Sequence, residues 1–229
     1  MAHSGFRRPD APNSEAVEDY AKALHALAKR SDGPVTTSAL AERLGVSPGS
    51  VTAMLKRMGE MGLVDHEPYR GALLTPEGER VALEVIRHHR LLESYLTEVL
   101  GMPWDRVHDE AEVLEHYISE ELEERIAAAL GDPARDPHGD PIPDRELAVA
   151  SESGVSLADL ETGGSGTLAR VSDSDPEMLR FLAERGIRPG SRLVVGEREP
   201  FGGSVEIEVD GEPHAIGSDL ARRMVIAAG

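Results

Sequence analysis

Over residues 17–30 the apolar positions Val17, Ala21, Leu24, Leu27 and Ala28 recur at helical intervals, and Asp32-Gly33-Pro34 stops the pattern, so a first helix is predicted there. Thr36, Thr37 and Ser38 then offer N-caps to a second helix over 39–44, which Gly45 ends. Ser47 followed by Pro48 is a cap with proline at the first helical position, and it predicts a third helix to about Met61 after only a short turn. With Leu40, Leu44, Val46, Val51, Met54, Leu55 and Met58 turned inward, the pair reads as a helix-turn-helix. Gly62-Leu63-Val64-Asp65, a turn near Tyr69-Arg70-Gly71, and Ala72-Leu73-Leu74-Thr75 follow as two short strands joined by a wing.

Thr75-Pro76-Glu77 opens a long helix to about Leu100 with Ala82, Val85, Ile86, His89, Leu92, Glu93 and Leu96 on its inner face. Residues 104–130 supply two more helical segments with a break near Ser119. These helices carry more apolar surface than a pair can bury alone, which points to a second copy of the chain. The proline-rich run over 132–144 reads as a linker. Beyond Ser165 the period changes to alternation over 167–171, 191–195 and 204–209, with Asp210-Gly211 as a hairpin turn and a short helix from Pro176 to about Arg185. The expected fold is therefore α+β and multidomain. It has a winged helix-turn-helix over 1–82, an all-α dimerisation domain over 83–148, and an SH3-like β-barrel, or a flattened sandwich, over 149–229.

Length and charge fit that division. A chain of 229 residues can hold two or three small cores. Its formal charge is −18, yet residues 1–82 hold 10 Lys+Arg against 11 Asp+Glu, so nearly all the acidity lies further on. A near-neutral module joined to an acidic one reads as a working part joined to a sensing part. With no cysteine, disulfides, thiolate metal sites and cysteine nucleophiles are excluded. The polar start, Met1 to Asn13, has no signal-peptide character and no apolar run spans a bilayer, so a cytoplasmic protein without a membrane partner is expected.

The stretch over 108–116, His-Asp-Glu-Ala-Glu-Val-Leu-Glu-His, strings carboxylates and imidazoles at helical spacing. Glu112, Glu115 and His116 stand at i, i+3 and i+4, on one face of a helix. Oxygen and nitrogen donors converging in this way suit a divalent ion such as Mn²⁺ or Fe²⁺.

Six motifs in order carry a resemblance to a known family: VEDYAKALHAL at 17–27, VSPGSVTAMLKRM at 46–58, YRGALLTPEGE at 69–79, RHHRLLESYL at 87–96, VHDEAEVLEH at 107–116 and DPHGDPIP at 136–143. Along nearly its whole length the sequence resembles the DtxR/MntR group of metal-dependent transcriptional repressors. The resemblance implies a primary regulatory metal site of Asp19, Glu112, Glu115 and His116. It also implies an ancillary site of His89, Glu93 and His108, completed by an acidic residue of the C-terminal domain, most plausibly Asp175. Met178 stands where relatives place a further polar ligand, so Asp173, Glu177 or water is left to fill that role. The iron-responsive branch carries methionine and cysteine where Asp19 and Glu112 stand, and two carboxylates in their place favour a hard ion, Mn²⁺ ahead of Fe²⁺. Lys22 stands where two-metal manganese regulators carry a glutamate.

For DNA, Ser47, Pro48, Gly49, Ser50 and Thr52 are small enough for close approach in the major groove, and Thr37, Ser38, Lys56, Arg57 and Arg70 are placed to meet phosphates. The function expected is a homodimeric, Mn²⁺-activated repressor of a palindromic operator in metal-homeostasis genes, with no small-molecule substrate. The alternatives are an Fe²⁺-activated repressor, a metal-dependent enzyme using the carboxylate and histidine cluster to activate water, and a metal-storage or protein-binding module.

Overall fold

Ser47 and Pro48 show how local chemistry sets the first elements. The Ser47 hydroxyl accepts from the Ser50 N–H at 3.1 Å, Pro48 opens the helix behind it, and Gly45 closes the preceding helix at φ 65°. The computed structural model describes residues 14–30, 33–67, 70–151 and 154–228. Met1 to Asn13, Asp32 and Tyr69, which the sequence reading uses, lie outside the described residues. The chain gathers into two units, the first from residues up to 89, 113–124 and 143–148, the second from 90–112, 125–142 and 149 onward.

In the first unit α1 (Glu15–Ala28), α2 (Thr37–Leu44) and α3 (Pro48–Glu60) precede a two-stranded wing, β1 (Val64–Glu67) and β2 (Gly71–Leu74), paired antiparallel from Val64↔Leu74 to Glu67↔Gly71. Val17, Leu24, Leu40, Val51, Leu55 and Met58 form its core, so α1 is built into the same apolar cluster as the helix-turn-helix. Val46, expected inside, is 39% exposed because it stands in the turn between α2 and α3. The long helix α4 (Pro76–Glu98) starts here. Thr75 caps it, its hydroxyl accepting from the Gly78 N–H at 3.2 Å and donating to the Gly62 carbonyl at 2.7 Å. All seven positions expected on its inner face are buried.

Helix α5 (Val107–Leu114) stops short of Glu115, and residues 115–117 form a turn before α6 (Glu120–Ala129). The expected single helical face for Glu112, Glu115 and His116 is therefore interrupted after its first member. The break itself falls where the sequence places it, ahead of Ser119.

The second unit holds a six-stranded antiparallel sheet in the order β3-β8-β4-β5-β6-β7. Its strands are β3 (Val155–Ser156), β4 (Ser165–Val171), β5 (Arg192–Arg198), β6 (Val205–Val209), β7 (Glu212–Ile216) and β8 (Met224–Ala228), with α7 (Pro176–Ala183) between β4 and β5 and a short α8 (Ser218–Ala221) before β8. The fold is the SH3-like one expected, but the sheet is not closed into a barrel. Asp210 at φ 52° and Gly211 at φ 86° form the two-residue turn of the β6–β7 hairpin, both in the left-handed region such a turn requires. Leu168, Leu179, Leu182, Leu193, Ile207 and Ile226 fill the core with Trp104.

The 132–144 run is more than a linker. The Asp136 carboxylate accepts from the backbone N–H of His138 at 2.9 Å and of Asp140 at 3.0 Å, and the His138 carbonyl accepts from the Val171 N–H at 2.9 Å. Gly139 lies so close to β4 that a Cβ there would meet the Ala169 carbonyl oxygen at 2.0 Å.

Gly78 has the same constraint in the first unit, where a Cβ would stand 2.0 Å from the Leu63 carbonyl oxygen. Gly78→Ala is expected to cost about 1–3 kcal/mol through overpacking against fixed backbone, although alanine is the better helix former. Urea unfolding checks this, and a midpoint equal to or above that of the parent would contradict it.

Candidate metal centres

Among the described residues, two clusters of ligating side chains take in expected ligands, one in each unit, and Glu84, His88 and Glu120 form a further group in the first unit. In the first, Asp19, Glu115 and His116 offer donor atoms within 4.8 Å of one another. Asp19 comes from the first turns of α1, while Glu115 and His116 come from the turn that ends α5. His116 Nδ1 donates to Glu18 at 2.6 Å, which leaves Nε2 directed at Asp19, 3.1 Å away, and at Glu115, 3.7 Å away. A carboxylate behind a ligating imidazole is the arrangement that fixes ring orientation in metal sites.

Glu115 is fully buried, and both of its oxygens have hydrogen-bond partners. Lys22 Nζ stands 2.6 Å from Oε1 and His89 Nδ1 stands 2.5 Å from Oε2, while the Glu115 backbone carbonyl accepts from His88 Nδ1 at 3.2 Å. Burial pulls the His116 imidazolium toward deprotonation, but its bonds to Asp19 and Glu18 and the nearby charge of Glu115 outweigh that and raise its pKa to about 10. The cluster thus holds protein-borne cations where carboxylates converge, which is the electrostatic setting a divalent ion fits.

The second cluster lies around Glu93, a fully buried residue of α4. Glu93, His108 and Asp173 offer donors within 4.8 Å of one another, as do Glu93, Asp136 and His138. His108 Nδ1 is 3.3 Å from Glu93 and 3.4 Å from Asp173; bonding to Asp173 first and Glu93 second raises its pKa to about 10 against the effect of burial. His138 Nε2 donates to the Trp104 carbonyl at 2.9 Å, leaving Nδ1 bare and turned to Glu93 Oε2 at 3.6 Å. That Nδ1 is buried with no hydrogen-bond partner among the described residues. A buried, aimed and unsatisfied nitrogen beside carboxylates fits a metal ligand. Burial, with Glu93 and Asp140 close by, raises the Asp136 pKa to about 8.

The remaining expected ligands fall as follows. Asp175, named for the ancillary site, caps α7 instead, its carboxylate accepting from the Glu177 N–H at 3.0 Å and the Met178 N–H at 3.3 Å. The carboxylate beside His108 is Asp173, two residues earlier. Glu112 lies on α5 in the second unit, with Oε1 3.6 Å from His108 Nε2. His89, one helical turn before Glu93, belongs to the first unit and spends its Nδ1 on Glu115. His88 is fully buried and reaches Glu123 at 2.9 Å through Nε2. Asp136 and His138, which the sequence reading does not name, join the group around Glu93; the signal available was the alternation of Asp, His and Asp at 136, 138 and 140 in a run rich in proline.

Of the residues expected at DNA, Ser47, Pro48, Gly49, Ser50, Thr52, Lys56 and Arg57 are exposed along α3, Ser38 is exposed and Thr37 half-buried at the start of α2. Thr52 donates to the Pro48 carbonyl at 2.9 Å, Lys56 lies 4.0 Å from Glu60, and Arg70 lies 3.1 Å from Glu67 on the wing.

Comparison with known proteins agrees with this division of labour. Residues 14–72 match the family model for the iron dependent repressor N-terminal DNA binding domain, residues 75–144 that for its metal binding and dimerisation domain, and residues 155–228 the FeoA domain. The chain is 34% identical over 222 residues to the diphtheria toxin repressor of Corynebacterium efficiens, covering 90% of this chain and 93% of the relative. It is 34% identical over 209 residues to the iron-dependent repressor IdeR of Mycobacterium tuberculosis, covering 86% and 90%. A solved manganese-dependent transcriptional repressor in complex with manganese superposes with a TM-score of 0.85 at 43% identity, over 93% of this chain and 99% of that one. The chain therefore belongs to the DtxR/IdeR/MntR family of metal-dependent transcriptional repressors, which are DNA-binding proteins and not enzymes.

Proposed function

We propose that this chain is a Mn²⁺-activated repressor that binds a palindromic operator of metal-homeostasis genes as a homodimer in the cytoplasm, with segments 1–82, 83–148 and 149–229 reading DNA, sensing and dimerising, and modulating. The observation that carries the choice of ion is the sulfur-free donor set of Asp19, Glu115 and His116 in a chain without cysteine. Iron-dependent relatives support Fe²⁺ as the second reading. Exposed Val113, Tyr117 and Leu122 around the 115–119 turn support a partner copy.

A divalent ion at this site supplies a charge shared by residues from different parts of the first unit. Asp19 stands on α1, whose opposite face is part of the winged-helix core through Val17, Ala21 and Leu24. Glu115 and His116 stand on the turn before α6. Drawing the three together fixes α1, and with it α2 and α3, against that turn. Glu18 keeps the His116 ring oriented throughout. In the second unit Glu93, His108 and Asp173, with Asp136 and His138 adjoining, form the proposed ancillary site.

Titrating DNA fragments upstream of metal-transport genes with Mn²⁺, anaerobic Fe²⁺, Zn²⁺ or chelator tests the reading. Asp19→Ala is expected to lose the metal-induced gain in DNA affinity, up to about 150-fold, while remaining a folded dimer. Induction retained by the variant refutes the primary site, and a stronger response to Fe²⁺ than to Mn²⁺ overturns the choice of ion.

The carboxylates around His116 and His108 raise their pKa values to about 10, so an ion that takes these nitrogens has to displace their protons. Each displaced proton makes Mn²⁺ affinity rise by close to tenfold per pH unit below the raised pKa, so binding tightens from pH 6 to pH 8. Calorimetry in buffers of different ionisation enthalpy counts the protons released; zero release, or affinity falling with pH, contradicts the assignment.

On DNA, Lys56→Ala and Arg57→Ala are each expected to weaken specific and non-specific fragments alike and to reduce the slope of log affinity against log salt by about one. Loss confined to one operator sequence would assign them to base reading.

A further inference from the structure

Helix α1 turns three charged residues toward the primary cluster, and each meets a different group. Glu18 takes His116 Nδ1, Asp19 faces His116 Nε2, and Lys22 donates to Glu115 Oε1 at 2.6 Å. Of the two Glu115 oxygens, Oε1 is the one that His116 Nε2 approaches, at 3.7 Å; Oε2 is held by His89. The Lys22 side chain is four-fifths buried and Glu115 wholly so. An ammonium therefore stands on the carboxylate oxygen that a cation shared with Asp19 and His116 would use.

Resting on the metal-site reading of this cluster, we propose that Lys22 is a tethered cation of the primary site. Its ammonium keeps Glu115 paired and the site assembled when no divalent ion is present, must give way at Oε1 for an ion to load, and limits the site to one ion. The charges support this. Glu18, Asp19 and Glu115 set three carboxylates against one ammonium. With His116 neutral, as a ligand must be, two negative charges remain and one divalent ion balances them. A second would leave excess positive charge in a buried place, where unpaired charge costs several kcal/mol. Lys22 differs in kind from a ligand: it raises the ion concentration at which the site fills, and so sets the threshold of the response.

The test measures Mn²⁺ binding to the metal-free full-length protein by calorimetry, with bound metal counted by mass spectrometry, for the parent and for Lys22→Met, Lys22→Arg and Asp19→Ala. The Asp19→Ala variant marks which binding step belongs to the primary site. In the parent that step is expected to take one ion. In Lys22→Met it tightens by about tenfold or more, since a competing unit charge at contact distance is gone, while the other step is unchanged. The melting temperature of Lys22→Met falls for the metal-free protein and not for the Mn²⁺-loaded one. Lys22→Arg, which keeps the charge, behaves as the parent. Lys22→Gln is read in the same way should Lys22→Met not fold. An Asp19-sensitive step that takes two ions in the parent, or that Lys22→Met leaves unchanged or weaker, overturns the role of Lys22 and leaves the metal site standing. An Asp19→Ala isotherm equal to the parent's removes the metal site, and the proposal with it.

Discussion

A carboxylate with no exposed surface has to be paired wherever it is placed, and in this chain that carboxylate is Glu115. Its partners come from two helices: Lys22 on α1 and His89 on α4, with His88 of α4 holding its backbone carbonyl. One residue in a turn thereby ties together three separate segments of the first unit. Because α1 is also a wall of the winged-helix core, this carboxylate is joined to α2 and α3 through the packing of α1.

The second cluster solves the same electrostatic problem differently. Glu93 is equally buried, but its surroundings come from loops as much as helices: His108 at the start of α5, Asp173 after β4, and Asp136 and His138 from a tight turn. That turn is held by Asp136 folding onto the N–H groups of His138 and Asp140, and it is clamped further by Arg90, which donates to the Pro141 carbonyl at 2.5 Å. Backbone hydrogen bonds thus do for the second cluster what helical packing does for the first.

Much of the architecture is legible because its signals are local. Ser47-Pro48, Gly45 and Asp210-Gly211 each act within a few residues, and the inner face of α4 follows from spacing alone. The sites are less legible because ligands depend on where elements end. Glu112, Glu115 and His116 share a face only if α5 continues, and it stops at Leu114. Asp175 stands directly before Pro176, so its carboxylate is consumed in capping α7, and Asp173 takes the place beside His108. His88 reads as an off-face residue by period, yet it is buried because Glu123 of α6, itself bonded to Arg87, meets it there. Asp136 and His138 lie in a run whose composition signals a connector, and only the hydrogen bonds that fold it reveal a site. The Lys22–Glu115 pair spans 93 positions and leaves no trace in any local pattern.

Trp104 is the only tryptophan in the chain; its indole stacks on the His138 ring with centroids 5.6 Å apart, and the Arg188 guanidinium lies over the indole at 5.3 Å from the ring centroid. A protonated imidazole is an efficient quencher of indole emission, and the Trp104 carbonyl fixes which imidazole nitrogen stays available. The protein consequently carries an optical probe wired to one of its two centres. A change of charge at His138 is therefore expected to register in the emission of Trp104.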